Sequence, residues 1–268
     1  MRNLATLRKR FFHKPLGWSL SLLVGFGLTL GLESALRAES PRTAPKELKE
    51  AIGEIEAAAN RRDLEGIMKF YSPEFTNSDG LRNFSVSQAL TQMWERYTKL
   101  NYTTELQSWE RVGDELMAET VTNIQGTESS QGREMQLNST IRSRQYFKDQ
   151  KLVRQEILAE RTEVTSGSNP PEVEVVLPEQ VGVGEKFEFD VIVKEPLGND
   201  GLLGAVIEEQ TGSDLYLNPS TLALEILPAG GIFKQVKAPL LPDNRWLSAI
   251  VVRGDGITLI TQRVRIED

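Results

Sequence analysis

Carboxylates, tyrosines and tryptophans are the side chains of this sequence that could take part in catalysis or ligand binding, because the usual nucleophiles and bases are nearly absent. The chain of 268 residues has no cysteine and a single histidine, His13. Without cysteine it has no thiolate nucleophile, no cysteine-ligated metal centre and no disulfide. Histidine is the usual general base and the commonest metal ligand. The composition therefore favours a binding protein over an enzyme and predicts neither a metal site nor a cofactor.

Two further patterns of residues suggest chemistry but do not establish it. Arg142 and Arg144 lie on the polar face of a predicted strand and could hold an anionic group. A solvated face with ion pairs to glutamates is the commoner meaning of such a pattern. Gly182 and Gly184 begin a dinucleotide-binding pattern, but its third glycine and the following helix are missing.

The N-terminal segment has the layout of a secretory signal. Residues 1–15 are basic, an apolar run covers residues 16–32, and small residues lead to a preferred cleavage point after Ala38. The run is barely long enough to cross a bilayer, so an uncleaved membrane anchor is the alternative. Both interpretations predict that the rest of the chain is extracytoplasmic, whether periplasmic, lumenal, secreted or tethered to the membrane by residues 16–32.

The charge distribution limits the classes of partner. The whole chain has a formal net charge of −7, and residues 1–38 are rich in lysine and arginine. The remainder is therefore more acidic than the whole chain. A protein with a net negative charge is poorly suited to binding nucleic acid or an anionic membrane surface. We expect protein or small-molecule partners, with membrane contact only through the N-terminal segment.

A region of helical and strand patterns and then a region of short strand patterns follow the signal. A run of small polar residues and prolines over residues 166–171 separates the two regions. Such a run is typical of a linker. The sequence therefore predicts one domain over residues 39–165 and a second over residues 172–268. The second contains a series of short candidate strands, which predicts an immunoglobulin-like sandwich with Trp246 in its core.

The first domain changes from helical spacing to strand alternation. Apolar residues recur at helical spacing after Pro45, and Asp63 and Ser85 are typical first residues of two further helices. The predicted strands that follow are Tyr102–Arg111, Glu115–Gln125, Arg133–Lys148 and Leu152–Val164. Three helices followed by antiparallel strands predict an α+β domain.

Two segments of the first domain resemble a known superfamily. They are Ala57–Phe75, with the sequence AAANRRDLEGIMKFYSPEF, and Ser143–Leu158, which contains SRQYF and LVRQEIL. Both are similar to the nuclear-transport-factor-2-like superfamily, which includes polyketide-cyclase-like and ketosteroid-isomerase-like proteins. The resemblance covers roughly residues 45–165. It implies a cone-shaped curved antiparallel sheet with three N-terminal helices, followed in this chain by the all-β immunoglobulin-like sandwich.

The resemblance also implies a candidate catalytic residue, Asp79. It stands at the spacing from Tyr71 that the isomerase-like branch uses for a general base, which moves a proton next to a carbonyl. Ile55 occupies the position of that branch's oxyanion-donating tyrosine, and its side chain has no hydrogen-bond donor. Asn77–Gly80 is also an ordinary turn sequence, in which the aspartate needs no catalytic role.

A set of aromatic residues would line the pocket of such a cone and stack on an apolar ligand. The set is Tyr71, Phe75, Trp94, Tyr97 and Trp109. We therefore predict an exported, non-catalytic binding or assembly module. Its cone would hold a small apolar ligand or form a homodimer, and its sandwich would contact a protein. The alternative is an isomerase, dehydratase or cyclase that uses Asp79 as its base.

Overall fold

The structure is a computed structural model that describes residues 38–130, 132–196, 201–227, 230–254 and 256–268. The predicted signal or anchor lies outside the described residues, apart from Ala38. Within the described ranges, no helix is both long and apolar enough to cross a membrane.

The helices are concentrated in the first part of the described chain. They are α1 (Lys46–Asn60), α2 (Leu64–Met68), α3 (Asn83–Arg96) and α4 (Ser213–Leu217), with a short 3-10 helix at Pro41–Thr43. The helical spacing after Pro45 appears as the buried face of α1, which includes Leu48 and Ile52. Asp63 caps α2, because its side chain accepts a hydrogen bond from the Gly66 N–H at 2.8 Å.

Strands make up most of the remaining structure. They are β1 (Tyr71–Asn77), β2 (Lys99–Val112), β3 (Glu115–Ser130), β4 (Arg133–Lys148), β5 (Lys151–Ser166), β6 (Val173–Val176), β7 (Gln180–Gly182), β8 (Lys186–Val193), β9 (Leu202–Gln210), β10 (Glu225–Ile226), β11 (Gly231–Lys237), β12 (Asp243–Arg253) and β13 (Gly256–Glu267). Ten of them form one sheet, and β11, β8 and β6 form a second sheet of three strands.

Strand β5 joins the two parts of the large sheet. The order along this sheet is β10-β9-β12-β13-β5-β4-β3-β2, with β1 also paired to β5 and β7 to β13. One edge of β5 pairs with β4 along its length. The other edge pairs first with β1, in parallel, and then with β13 through residues 161–166. The cavity described below lies against β5 and its neighbours.

The predicted fold class, an α+β cone with three N-terminal helices followed by an all-β immunoglobulin-like sandwich, is wrong. Of the residues that the structure describes, 57% are in strands and 19% in helices, and the protein is built on a large, mainly antiparallel sheet. Strand β1 separates α2 from α3, and β13 extends the sheet from β5. The physical reason is that an open edge of β5 would leave backbone N–H and C=O groups unpaired, and β13 satisfies them. Local sequence patterns do not show which edges pair.

Apolar residues form cores on the two faces of the large sheet. One core lies between the large and small sheets and contains Phe189, Leu247 and Val264. Phe75 belongs to another core, which packs α1 against the sheet. Trp246 is buried, but it does not belong to this core between the sheets, where the predicted sandwich would place it. Because neighbouring residues of a strand face opposite ways, the Trp246 side chain lies on the other face of β12 from Leu247.

Candidate functional site

A cavity of about 600 Å³ is the main candidate site. Its wall comes from α1 and α3 on one side and from β2 to β5 on the other, and most of its side chains are apolar. Helix α4 adds Leu215, Tyr216 and Leu217 to the wall. A segment far along the chain therefore completes a cavity that the first part of the chain begins.

Two of the five predicted aromatic residues line this cavity. Tyr71 and Tyr97 belong to the wall. Phe75 and Trp109 are buried in the core beside α1. Trp94 is also outside the wall, and its Nε1 donates a hydrogen bond to the Tyr102 hydroxyl at 3.2 Å. Their role in ligand binding stays a prediction.

Tyr102 is an aromatic wall residue that the sequence analysis missed. It lies on β2, whose even-numbered residues Leu100, Tyr102 and Leu106 are more buried than the odd-numbered residues between them. This alternation is the signal that would have found it.

The Tyr71 hydroxyl is a polar group at the apolar wall. Burial raises the pKa of Tyr71 to about 12, so the phenol is neutral at physiological pH. The Tyr71 ring packs edge-on against Phe75, with 4.8 Å between the ring centroids. Among the described residues its hydroxyl has no hydrogen-bond partner. It can therefore donate to a molecule in the cavity.

Asp79 lies in a tight turn directly after β1. The Asn77 side chain accepts hydrogen bonds from the Asp79 N–H at 3.0 Å and the Leu81 N–H at 2.8 Å. Gly80 has a φ of 81°, which glycine adopts without strain. The predicted turn therefore forms, and the buried Asp79 side chain lies behind the cavity wall rather than in it.

The Asp79 carboxylate is engaged by three other side chains. Arg263 donates from Nη1 to Oδ1 at 2.8 Å and from Nη2 to Oδ2 at 2.6 Å. The Tyr216 hydroxyl donates to Oδ2 at 2.6 Å. The Ser78 hydroxyl donates to Oδ1 at 3.3 Å. Both oxygens are therefore occupied by donors, and the two arginine bonds form a bidentate pair.

These contacts keep Asp79 ionised. Burial acts to raise the pKa of Asp79, but the hydrogen bonds and charge of Arg263 outweigh it and hold the pKa below its ordinary value. Burial, together with the nearby carboxylates of Glu160 and Asp79, raises the pKa of Tyr216 well above its usual value. A carboxylate in this setting is a weak proton acceptor. The assignment of Asp79 as a general base stays a prediction, and it would require Asp79 to release Arg263.

Glu160 connects this cluster to the cavity. It lines the wall, and its Oε2 accepts from Arg263 Nη2 at 3.0 Å and from Trp246 Nε1 at 2.9 Å. Trp246 and Arg263 are directly paired across β12 and β13. The Arg263 guanidinium carbon also lies 5.5 Å from the Trp246 ring centroid. Strands from the second half of the chain therefore position a carboxylate of the cavity.

A β-bulge places Glu160 on the cavity side of β5. Arg142 pairs with Ala159 and Ser143 pairs with Ile157, so Leu158 is an extra residue on β5. A bulge shifts the alternation of a strand by one residue. Ile157 and Glu160, which would otherwise face opposite sides, both line the cavity.

We expect acid to remove the stabilisation that Asp79 provides. Folding lowers the pKa of Asp79 below its ordinary 3.8, so the contribution is complete above that pH and declines as pH falls through the folded-state pKa. Asp79→Asn abolishes this ionisation. The difference in free energy of unfolding between wild type and Asp79→Asn should be largest at neutral pH and shrink as the pH falls below 3.8.

Urea unfolding over this pH range tests the expectation. The control is Asp149→Asn, in an exposed turn. A difference between wild type and Asp79→Asn that stays constant into acid would contradict it.

Two charged side chains of the wall, Glu56 and Arg96, are paired with other groups of the protein. Within the described residues, no group of three or more His, Asp or Glu side chains is placed to hold a metal. Arg96 lines the cavity but is paired with Glu128, with 2.8 Å between Nε and Oε2. Glu56 also lines it and accepts from the Thr104 N–H at 2.6 Å.

Comparisons with known proteins give limited matches. A family model described as Domain of unknown function (DUF8623) matches residues 168–267. No curated protein sequence matches the chain. Solved structures do match, and over about 41% of the chain they include ketosteroid-isomerase-like and cystatin-like folds. The immunoglobulin-like sandwich is not among what these matches show.

Three of these structures indicate how partial the likeness is. Bdellovibrio bacteriovorus Bd1075 is 18% identical with a TM-score of 0.32, covering 41% of this chain and 38% of that one. An LEH-like epoxide hydrolase of M. tuberculosis is 10% identical with a TM-score of 0.31, covering 41% and 80%. A cystatin fold protein from Novosphingobium aromaticivorans is 16% identical with a TM-score of 0.31, covering 42% and 98%. The chain thus spans well under half of Bd1075, and none of these likenesses supports a functional argument.

Proposed function

We propose that this chain is a non-catalytic binding protein that holds a small, mostly apolar molecule in the cavity. The observation that carries the proposal is the cavity itself, about 600 Å³ in volume, with a mainly apolar wall. Small-molecule sites in proteins usually occupy about 300–1,000 Å³ and have walls of this kind. The basic and apolar N-terminal segment supports export of the protein.

The arrangement of Asp79 favours binding over catalysis. A general base must reach the proton that it removes, and Asp79 is not part of the cavity wall. Its two oxygens are engaged by Arg263 and Tyr216. The predicted protein partner and homodimer remain proposals without a specific surface assigned to them.

Filling the cavity should abolish binding. Ile141 lies on β4 and lines the wall, so Ile141→Trp adds bulk to the empty space. We expect wild type to bind the neutral dye Nile red with increased fluorescence, and Ile141→Trp to bind it at least about tenfold more weakly, a loss of about 1.4 kcal/mol. Leu203→Trp, on β9 outside the cavity and 38% exposed, is the matched control and should bind as wild type does.

The dye titration is paired with native mass spectrometry of protein purified from its own host. A bound molecule that is present in wild type and missing from Ile141→Trp would support the proposal. Circular dichroism checks that the variant folds, and Leu90→Trp, on the α3 side of the wall, provides a second variant. Equal dye affinity in the folded variants and wild type would overturn the proposal, as would absence of both dye binding and a bound molecule.

A further inference from the structure

One carboxylate oxygen of Glu160 is unused by the part of the chain that the structure describes. Its Oε2 accepts from both Arg263 and Trp246. Its Oε1 accepts no hydrogen bond from any residue in the described ranges. The side chain is 13% exposed and lines the cavity. Because a carboxylate oxygen in the wall of a mainly apolar cavity favours a donor, a bound molecule with a donating group would complete the site.

The charges around the cavity favour a cationic donor. Arg263 is the positive member of the buried cluster, and it serves two carboxylates, Asp79 and Glu160. The cluster therefore has an excess of negative charge. Glu56 adds a further carboxylate at the wall, while the charge of Arg96 is matched by Glu128. Such a wall repels a carboxylate or phosphate and attracts an ammonium group.

The aromatic rings of the wall also favour a cationic ligand. Tyr71, Tyr97, Tyr102 and Tyr216 all contribute to the wall. The face of an aromatic ring attracts a cation, and the attraction is stronger where water is excluded. The remaining wall is mainly apolar, with uncharged polar side chains such as Asn77 and Gln155 among its residues, so most of the rest of the molecule should be hydrocarbon.

We propose that the ligand is a hydrophobic amine whose ammonium group donates to Glu160 Oε1 while its apolar part fills the cavity. This inference rests on the proposed function of the same cavity. Trp246 and Arg263 act as positioning residues, because they hold Oε2 and so orient Oε1. The preference for an amine would then depend on the Glu160 carboxylate, so it can be tested separately from the binding of an apolar molecule.

The test compares three probes with the same ten-carbon chain. Decylamine, decan-1-ol and decanoate are titrated at neutral pH, below their micelle-forming concentrations, and displacement of Nile red from the wild-type protein is measured. We expect decylamine to bind at least about tenfold more tightly than decan-1-ol, and decanoate to bind most weakly.

Glu160→Gln identifies the group that is responsible. The glutamine oxygen can still accept from Arg263 and Trp246, but its amide carries no charge and no free carboxylate oxygen. This variant should bind decylamine and decan-1-ol alike. Glu156→Gln is the matched control, because Glu156 lies on the same strand, is 40% exposed, pairs with Arg144 and does not line the cavity. It should keep the preference for the amine.

The outcomes separate this inference from the proposed function. Equal affinity of wild type for amine and alcohol, or a preference that survives in Glu160→Gln, would overturn the amine assignment and leave a binding cavity in place. Failure of wild type to bind Nile red, with no effect of Ile141→Trp, would overturn the proposed function itself. If Glu160→Gln does not fold, the wild-type preference among the three probes still decides the assignment.

Discussion

Replacing Arg263 with methionine is expected to lower the free energy of unfolding by about 3–5 kcal/mol. The side chains of Arg263 and Asp79 are both 0% exposed. Methionine fills similar space but leaves Asp79 and Glu160 buried without their shared cation. The cost comes from the uncompensated charges more than from lost packing. Urea unfolding at neutral pH, followed by circular dichroism, measures the change.

A surface arginine provides the control for this variant. Arg144 is 41% exposed and forms ion pairs with Glu119 and Glu156. Exposed pairs of this kind are worth about 0–1 kcal/mol, so Arg144→Met should have a small effect. The double variant Asp79→Asn with Arg263→Met should be less destabilised than the sum of the single variants, because it removes both charges together. Equal losses for Arg263→Met and Arg144→Met would contradict the buried ion pair.

Phe75→Ala should also cost about 3–5 kcal/mol in stability while largely sparing the binding of Nile red. Phe75 is 1% exposed and belongs to the same core as Leu48 and Phe147. Truncation leaves a hole among these side chains. Because Phe75 does not line the cavity, the affinity for the dye should change far less than it does in Ile141→Trp. Urea unfolding and dye titration of the same preparation separate the two effects.

Phe84→Ala is the control for loss of an aromatic side chain. Phe84 is 72% exposed, so its removal should change stability by no more than about 0.5 kcal/mol. A Phe75→Ala variant that keeps wild-type stability and loses dye binding would assign Phe75 to the ligand, as the sequence-based hypothesis did.

The strands of the first half could be predicted because their signals are local. The expected strand at residues 133–148 is the observed β4, and the expected 102–111, 115–125 and 152–164 all fall within longer observed strands. Strand β1 was not predicted, because Pro73 and the following turn residues argue against a strand. Among the described strands β1 pairs with β5 alone, so Pro73 needs no N–H for a second strand, and β1 tolerates it.

The expectation that aromatic side chains line a pocket came from the superfamily resemblance. Of that set, Tyr71 and Tyr97 lie in the wall of the cavity, and their role in ligand binding stays a prediction. The partner of Asp79 could not be found in this way, because Arg263 lies 184 residues further along the chain. In the sequence, Arg263 is only one of several charged or polar residues that alternate with apolar residues in a predicted strand. Its role depends on the pairing of β13 with β5, which is a property of the folded sheet.

Strand β13 separates two environments, and this fixes its register in the sheet. Val264 and Ile266 face the apolar core with Phe189, while Arg263, on the opposite face, meets Asp79. A slip by a single residue would turn the guanidinium into that core and leave a valine beside the carboxylates. Both changes are costly, because the first buries the guanidinium without a carboxylate and the second leaves the buried carboxylates without a cation. The buried arginine thus excludes misaligned sheets, a role distinct from any stability that it adds to the correct one.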